Sequence, residues 1–164
     1  FLPNDYSAVQ WIVVSCVGFP LLYTLSETTV MGIGITKRSS FSMAASALAF
    51  CVNLVGNWLL IPRFGASGAA VSTCISFLVF FVLRTEFSIY VWRPIPRMLL
   101  YTYTGIVVAG ASIFTLWGEL LGIWMSVFWL FVLGSCFWVF RREVLEVFRL
   151  ILGYKRKFST GPSA

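Results

Sequence analysis

Apolar residues in this chain come in long unbroken runs separated by short polar intervals. The runs extend from Val9 to Ile35, Phe41 to Ile61, Gly68 to Leu83, Leu99 to Trp117 and Leu120 to Phe140. A hydrocarbon layer of ~30 Å is crossed by about 20 helical residues, and a helix in lipid satisfies its own backbone. The pattern predicts five transmembrane helices, over about residues 8–36, 41–61, 68–92, 99–117 and 120–140. A membrane β-barrel needs strict alternation of outward and inward residues, and segments such as "FWLFVLGSCFWVF" lack it. The fold class expected is an all-α integral membrane protein.

Beyond Phe140 the pattern changes. "RREVLEVFRLILGYKRKF" places Val144, Phe148 and Ile151 on one helical face, and Arg142 stands four residues before Glu146, a spacing that suits ion pairing on a helix surface. This predicts an amphipathic basic helix over 141–158 lying on the cytoplasmic leaflet, with a frayed basic tail as the alternative. Residues 159–164, "STGPSA", read as a disordered end. The opening "FLPNDYS" lacks a signal peptide's charged start and reads as a loop between helices, so the chain is expected to be the C-terminal portion of a longer protein.

Composition excludes a soluble domain. The chain has 164 residues, 59% of them hydrophobic and 11% charged, against roughly 25% charged in average soluble domains; its mean hydropathy is +0.90. Of its 12 Lys and Arg residues, all but Arg63 fall on one side of a five-helix topology. Such a bias marks the cytoplasmic face, placing the N-terminus outside and the C-terminus inside. The net charge of +6 then reports orientation and attraction to anionic headgroups, and gives no support for nucleic-acid binding. Trp11, Trp58, Trp117 and Trp124 lie toward outer ends, and Tyr90, Trp92, Tyr101 and Trp138 toward inner ones, as interfacial aromatics do. Cys16, Cys51, Cys74 and Cys136 show no paired spacing and there is no histidine, so neither a disulfide framework nor a metal site is expected. No cofactor is implied. Asp5 and Glu119 stand isolated, without the cluster of groups that an enzyme site needs; enzymatic activity is not expected.

The most informative stretch is "NLVGNWLLIPRFGASGAAVS", Asn53 to Ser72. Pro62 should terminate the second helix, with Gly65 in the reversal that follows. Gly68, Ser72 and Ser76 recur every four residues, the small-residue face that packs helices closely in lipid. Asn53 and Asn57 share a face one turn apart and must meet a partner helix or a wet cavity, because an unpaired amide in hydrocarbon costs several kcal/mol. Helix–helix bonding is the plainer account of the two amides; contact with a polar substrate is the other.

These residues resemble the Asn-x3-Asn…Ile-Pro-x-Phe-Gly-x2-Gly-Ala-Ala pattern of bacterial polysaccharide and O-antigen flippases, members of the multidrug/oligosaccharidyl-lipid/polysaccharide flippase superfamily. "YTLSETTVMGIGITKRSS" is similar to that family's helix ending in a Gly-rich basic turn. The resemblance covers roughly Asp5 to Arg97. It implies part of the second lobe of a transporter with some twelve to fourteen helices, whose remaining N-terminal lobe is the main protein partner. The implied activity is movement of an undecaprenyl-diphosphate-linked oligosaccharide across the inner membrane by alternating access, with membrane lipids as further partners. A multidrug exporter of the same superfamily and a non-transporting subunit of polysaccharide assembly remain alternatives.

Glu27 is the sharpest candidate for the substrate or ion pathway, with Asn53 and Asn57 beside it. It is the one acid expected inside the membrane, and intramembrane carboxylates usually face a partner or a wet cavity. Either it lines the cytoplasmic side of a cavity and takes up a proton during transport, or it pairs structurally with Lys or Arg. Arg63 is expected on the outer loop, capping helix carbonyls, and Arg84 to snorkel to the inner interface beside Glu86. No clearly intramembrane cation is expected.

Overall fold

A computed structural model of the chain describes residues 9–94 and 96–141. The described residues form four helices: α1 Val9–Thr29, α2 Met31–Ile35, α3 Ser39–Val91 and α4 Met98–Val139. The all-helical class therefore stands. Val9–Thr29, Ser39–Val91 and Met98–Gly118 are each long and apolar enough to cross a membrane, and Trp124–Val139 is a shorter apolar helix. The expected amphipathic helix beyond Arg141 and the tail over 159–164 lie outside the described residues.

The 53-residue α3 is two helices joined at Gly65, whose backbone (φ 56°, ψ −131°) is non-helical. The arms run antiparallel and pair residue by residue. Phe41 packs on Phe87, Ala45 and Ala49 cluster with Phe80, Ser72 Oγ donates to the Asn53 carbonyl at 3.1 Å, and Gly68 backs onto Leu60. Each arm spans about 39 Å at 1.5 Å per residue, enough for the hydrocarbon layer. Pro62 does not terminate the first arm as expected; it lies inside the helix. So close to the break its missing N–H frees one carbonyl of the preceding turn, a small loss. Gly65 makes the reversal alone, in a region of backbone space that is almost closed to other residues. Arg63 accordingly belongs to a helix and not to a loop.

The first expected helix, 8–36, is divided. α1 ends at Thr29 and α2 begins at Met31, with Val30 between them. The backbone stays bonded across this break, Val30 N–H to the Ser26 carbonyl and Gly34 N–H to that of Val30. Gly32 N–H instead bonds outward to Ser88 Oγ at 3.0 Å, which holds α2 against the second arm of α3. Pro20 is carried within α1, and Thr24 Oγ1 donates to the carbonyls of Pro20 and Leu21 at 2.9 Å. α1 runs parallel to that second arm, since Gly18 meets Cys74, Thr29 meets Thr85 and Gly32 meets Ser88.

α4 runs antiparallel to α1 and closes the core on its other side. Ser15 Oγ shares a 2.6 Å hydrogen bond with Thr115, Thr115 donates to the Trp11 carbonyl, and Tyr101 lies edge-on to Phe81. Leu22, Cys74, Phe81 and Val108 form the common core of α1, α3 and α4. The chain divides into two compact units at Gly122. A turn was expected at Gly118–Glu119 between helices 99–117 and 120–140, but the helical backbone continues from Met98 to Val139. A single glycine costs a helix only about 1 kcal/mol, and no proline stands there to break it. In the second unit, Phe128 lies edge-on to Trp129 and Ser135 Oγ bonds back to Val132.

A Cβ at Gly68 would stand 2.5 Å from the Leu60 carbonyl oxygen, whereas one at Gly105 meets open space. Gly68→Ala and Gly65→Ala are therefore expected to destabilise by about 1–3 kcal/mol each, through overpacking and backbone strain respectively. Gly105→Ala is expected to raise stability slightly, by about 0.5–1 kcal/mol. Thermal unfolding of the detergent-purified protein checks this order.

Candidate functional site

Hydroxyl side chains within these helices mostly bond to their own backbone one turn back, as Ser46 does to Ser42, Thr73 to Ala69 and Ser76 to Ser72. That arrangement lets a hydroxyl sit in an apolar helix without a partner from outside. Amides and charges have no such option and depend on other side chains for partners.

Glu27 finds Arg84. Arg84 Nη1 donates to Glu27 Oε1 at 2.7 Å and to Ser26 Oγ at 3.0 Å, and Ser26 Oγ in turn donates to the Tyr23 carbonyl. The guanidinium carbon lies 5.0 Å from the centre of the Phe80 ring, within range of a cation–π attraction. Burial is uneven. The Arg84 side chain is 10% exposed and that of Glu27 is 47% exposed, while Arg84 Nε is buried without a hydrogen-bond partner. The cation is thus held inside the protein and the carboxylate faces outward beside it.

This arrangement corrects the expectation for Arg84. Its partners are Glu27 and Ser26 and not Glu86, although Glu86 lies two residues away in sequence. Glu86 has its own partners, Arg97 Nε at 2.7 Å and the Tyr101 hydroxyl at 3.0 Å, which tie the end of α3 to the start of α4. Arg84 is a largely buried cation within Ser39–Val91, a helix long and apolar enough to cross a membrane. The signal was present in the sequence. Glu27 and Arg84 stand comparable distances before the basic segments at Lys37–Arg38 and Arg93, so parallel helices bring them to one level.

Asn53 and Asn57 lie together at the hairpin seam. Asn53 Nδ2 donates to Thr73 Oγ1 at 3.3 Å, Asn57 Nδ2 donates to Asn53 Oδ1 at 2.9 Å, and Asn57 Oδ1 is buried without a partner. Of the three small residues expected to pack helices, Gly68 contacts Leu60 and Ser72 contacts Gly56 across the seam, whereas Ser76 is buried beside a cleft. That cleft, of about 390 Å³, opens between the two arms of α3; Ser46, Phe50 and Asn53 line it from the first arm and Thr73, Phe77 and Phe80 from the second. A second recess of about 370 Å³ between α1 and α3 is bordered by Cys16, Phe19 and Ala69, and again by Thr73. Thr73, Phe77, Phe80 and Arg84 form one stripe along the second arm of α3, at helical spacing. The structure thus joins Glu27 to this stripe through Arg84, and Asn53 through Thr73. Among the described residues no group of His, Cys, Asp and Glu is arranged to hold a metal ion.

Compared with known proteins, the chain matches no family model, no curated protein and no solved structure.

Breaking the ion pair is expected to destabilise. The coupling between Glu27 and Arg84 should be roughly 1–3 kcal/mol, below the 3–5 kcal/mol of a fully buried pair because Glu27 is half open to its surroundings. A double-mutant cycle with Glu27→Gln, Arg84→Gln and the double variant measures it. Arg84→Gln and Glu27→Gln should each lower the melting temperature, with the double variant recovering part of the loss.

Proposed function

We propose that this chain is the C-terminal part of a flippase that carries an undecaprenyl-diphosphate-linked oligosaccharide across the inner membrane by alternating access. The observation that carries the reading is the Glu27–Arg84 pair, set in the same stripe as the interhelical cleft. Moving a charged, hydroxyl-rich headgroup through hydrocarbon requires polar groups that face a cavity, kept away from lipid. A diphosphate further requires a cation, and Arg84 supplies one whose counter-ion is half exposed and has a second carboxylate oxygen to offer. The likeness of Asn53–Ala70 to the polysaccharide flippase pattern supports the same reading.

In this reading Glu27 and Arg84 form a couple that opens and closes. Protonation of Glu27 removes its negative charge and releases Arg84 toward the substrate phosphates; deprotonation restores the pair and favours release. Charge-assisted bonds from arginine to phosphate are strong enough to compete with arginine–carboxylate bonds. The cavity closes only when the other lobe packs over this face.

The test uses cells that depend on the full-length protein. Its deletion should leave lipid-linked repeat units on the inner leaflet, and reintroduction should restore their export. Glu27→Gln should reduce flipping at least tenfold and flatten its pH dependence. Normal flipping with an unchanged pH profile removes the proton role, and absence of accumulation in the deletion strain removes the flippase reading itself.

A further inference from the structure

The cleft between the arms of α3 has a lining that the ion pair does not use. Phe50 comes from one arm and Phe77 and Phe80 from the other, and Phe50 is 65% exposed. Phe77 and Phe80 meet edge-on at 5.9 Å, so their rings close the cleft as a corner. Around the aromatic rings stand hydroxyl and amide groups whose hydrogen-bonding capacity is only partly spent. Ser46 and Ser76 each donate their one hydroxyl proton to a carbonyl of their own helix. Among the described residues neither oxygen accepts a bond, so both are left as acceptors. The Asn53 amide donates one N–H to Thr73 and keeps the other, which is left as a donor. Within the cleft the serines can accept from O–H donors, and the amide has an N–H to give.

One chemical class supplies both O–H donors and acceptors and also presents an apolar C–H surface to phenyl rings. A hydrocarbon chain satisfies the rings but leaves the free Asn53 N–H without an acceptor, and a planar aromatic drug brings no array of hydroxyls. We propose that this cleft is a binding subsite for a single pyranose ring, stacked against Phe50 and Phe77 and hydrogen-bonded by Ser46, Ser76 and Asn53. Its volume of about 390 Å³ lies in the ~300–1,000 Å³ range of small-molecule sites and accommodates a hexose. The inference deepens the flippase reading by naming what holds the sugar, as distinct from what holds the diphosphate. The ion pair and the cleft are joined through Phe80, which borders the cleft and carries the Arg84 guanidinium on its ring. A substrate with its phosphates at Arg84 would therefore place its first sugars toward Asn53.

The experiment is saturation-transfer NMR on the full-length protein in lipid nanodiscs, irradiating aromatic protons and observing the ring protons of methyl glucoside and methyl N-acetylglucosaminide. Transfer to the C–H face of a glycoside is expected. Phe50→Leu should weaken binding about 3- to 10-fold, the size of one lost ring contact, and Phe50→Tyr should keep it. Phe50 is largely exposed, so its replacement leaves the core intact. Ser76→Ala, which removes one acceptor, should cost about threefold. Cyclohexanol, with the ring but one hydroxyl, should compete poorly. No transfer at glycoside concentrations up to roughly 10 mM, which still detects millimolar affinity, overturns the proposal. So does transfer unchanged in both Phe50→Leu and Ser76→Ala, or displacement of the glycosides by cyclohexanol at equal concentration. The outcome is separable from the flippase reading. Glycoside binding without flipping by the unaltered protein keeps the sugar site and removes the transporter, whereas flipping without glycoside binding does the reverse.

Discussion

A polar group inside an apolar helix bundle has no water to fall back on, and it must bond to its own helix, to a neighbour, or to something carried in. The backbone meets this demand by being helical, and most hydroxyls meet it by turning back onto a carbonyl one turn away. Amides and charges cannot, so they dictate which helices lie side by side. Arg84 is the extreme case. A guanidinium within an apolar span is costly until it is paired, and its partners Ser26 and Glu27 fix both the register and the parallel direction of α1 against the second arm of α3. Thr29 with Thr85 and Gly32 with Ser88 extend the same register toward α2. Ser15, Thr115 and the Trp11 carbonyl do the equivalent work between α1 and α4.

The hairpin of α3 shows how a small change in side-chain size along a seam produces a site. Near the reversal the facing residues are Leu60 against Gly68 and Gly56 against Ser72, and the arms come close enough for Ser72 to reach the Asn53 carbonyl. Farther along, Phe77 and Phe80 wedge the arms apart while Ser46 and Ala49 opposite are too small to fill the gap. The cleft is the difference between those two regimes. Packing without a hydrophobic drive between helices depends on such contact area, so tight packing near the reversal supports the opening midway along the hairpin.

Under the proposed reading, the ion pair and the cleft divide the chemistry of an amphiphilic substrate between them. In that reading, charge recognition would belong to Arg84 with Glu27 as its counter-ion, and ring recognition to the phenyl and hydroxyl groups between the arms. Phe80 belongs to both, with one surface under the guanidinium and another bordering the cleft. Under the proposed reading, this coupling would let the occupancy of one half influence the other without any long-range pathway.

Much of this was legible before any coordinates. Long apolar runs without alternation determined an all-helical chain able to cross a membrane, because the length of a helix and the thickness of a hydrocarbon layer leave no other economical solution. The small residues after Pro62 announced the hairpin, and Asn53 with Asn57 announced an interhelical bond, since neither amide had a partner within reach on its own helix except the other. What the sequence left open was set by contacts between distant segments. Pro62 seemed the natural terminator, yet Gly65 makes the reversal, because only the packing of both arms selects one break among several permissive residues. Val30 interrupts the first helix because Gly32 can approach Ser88, a fact about two helices and not about one. Arg84 looked like an interfacial cation because Glu86 stands two residues away and the basic segment at Arg93 follows. The pairing of Arg84 with Glu27 arises only when two helices lie parallel at matching depth, and it is this three-dimensional coincidence, invisible in either segment alone, that turned two isolated charges into a site.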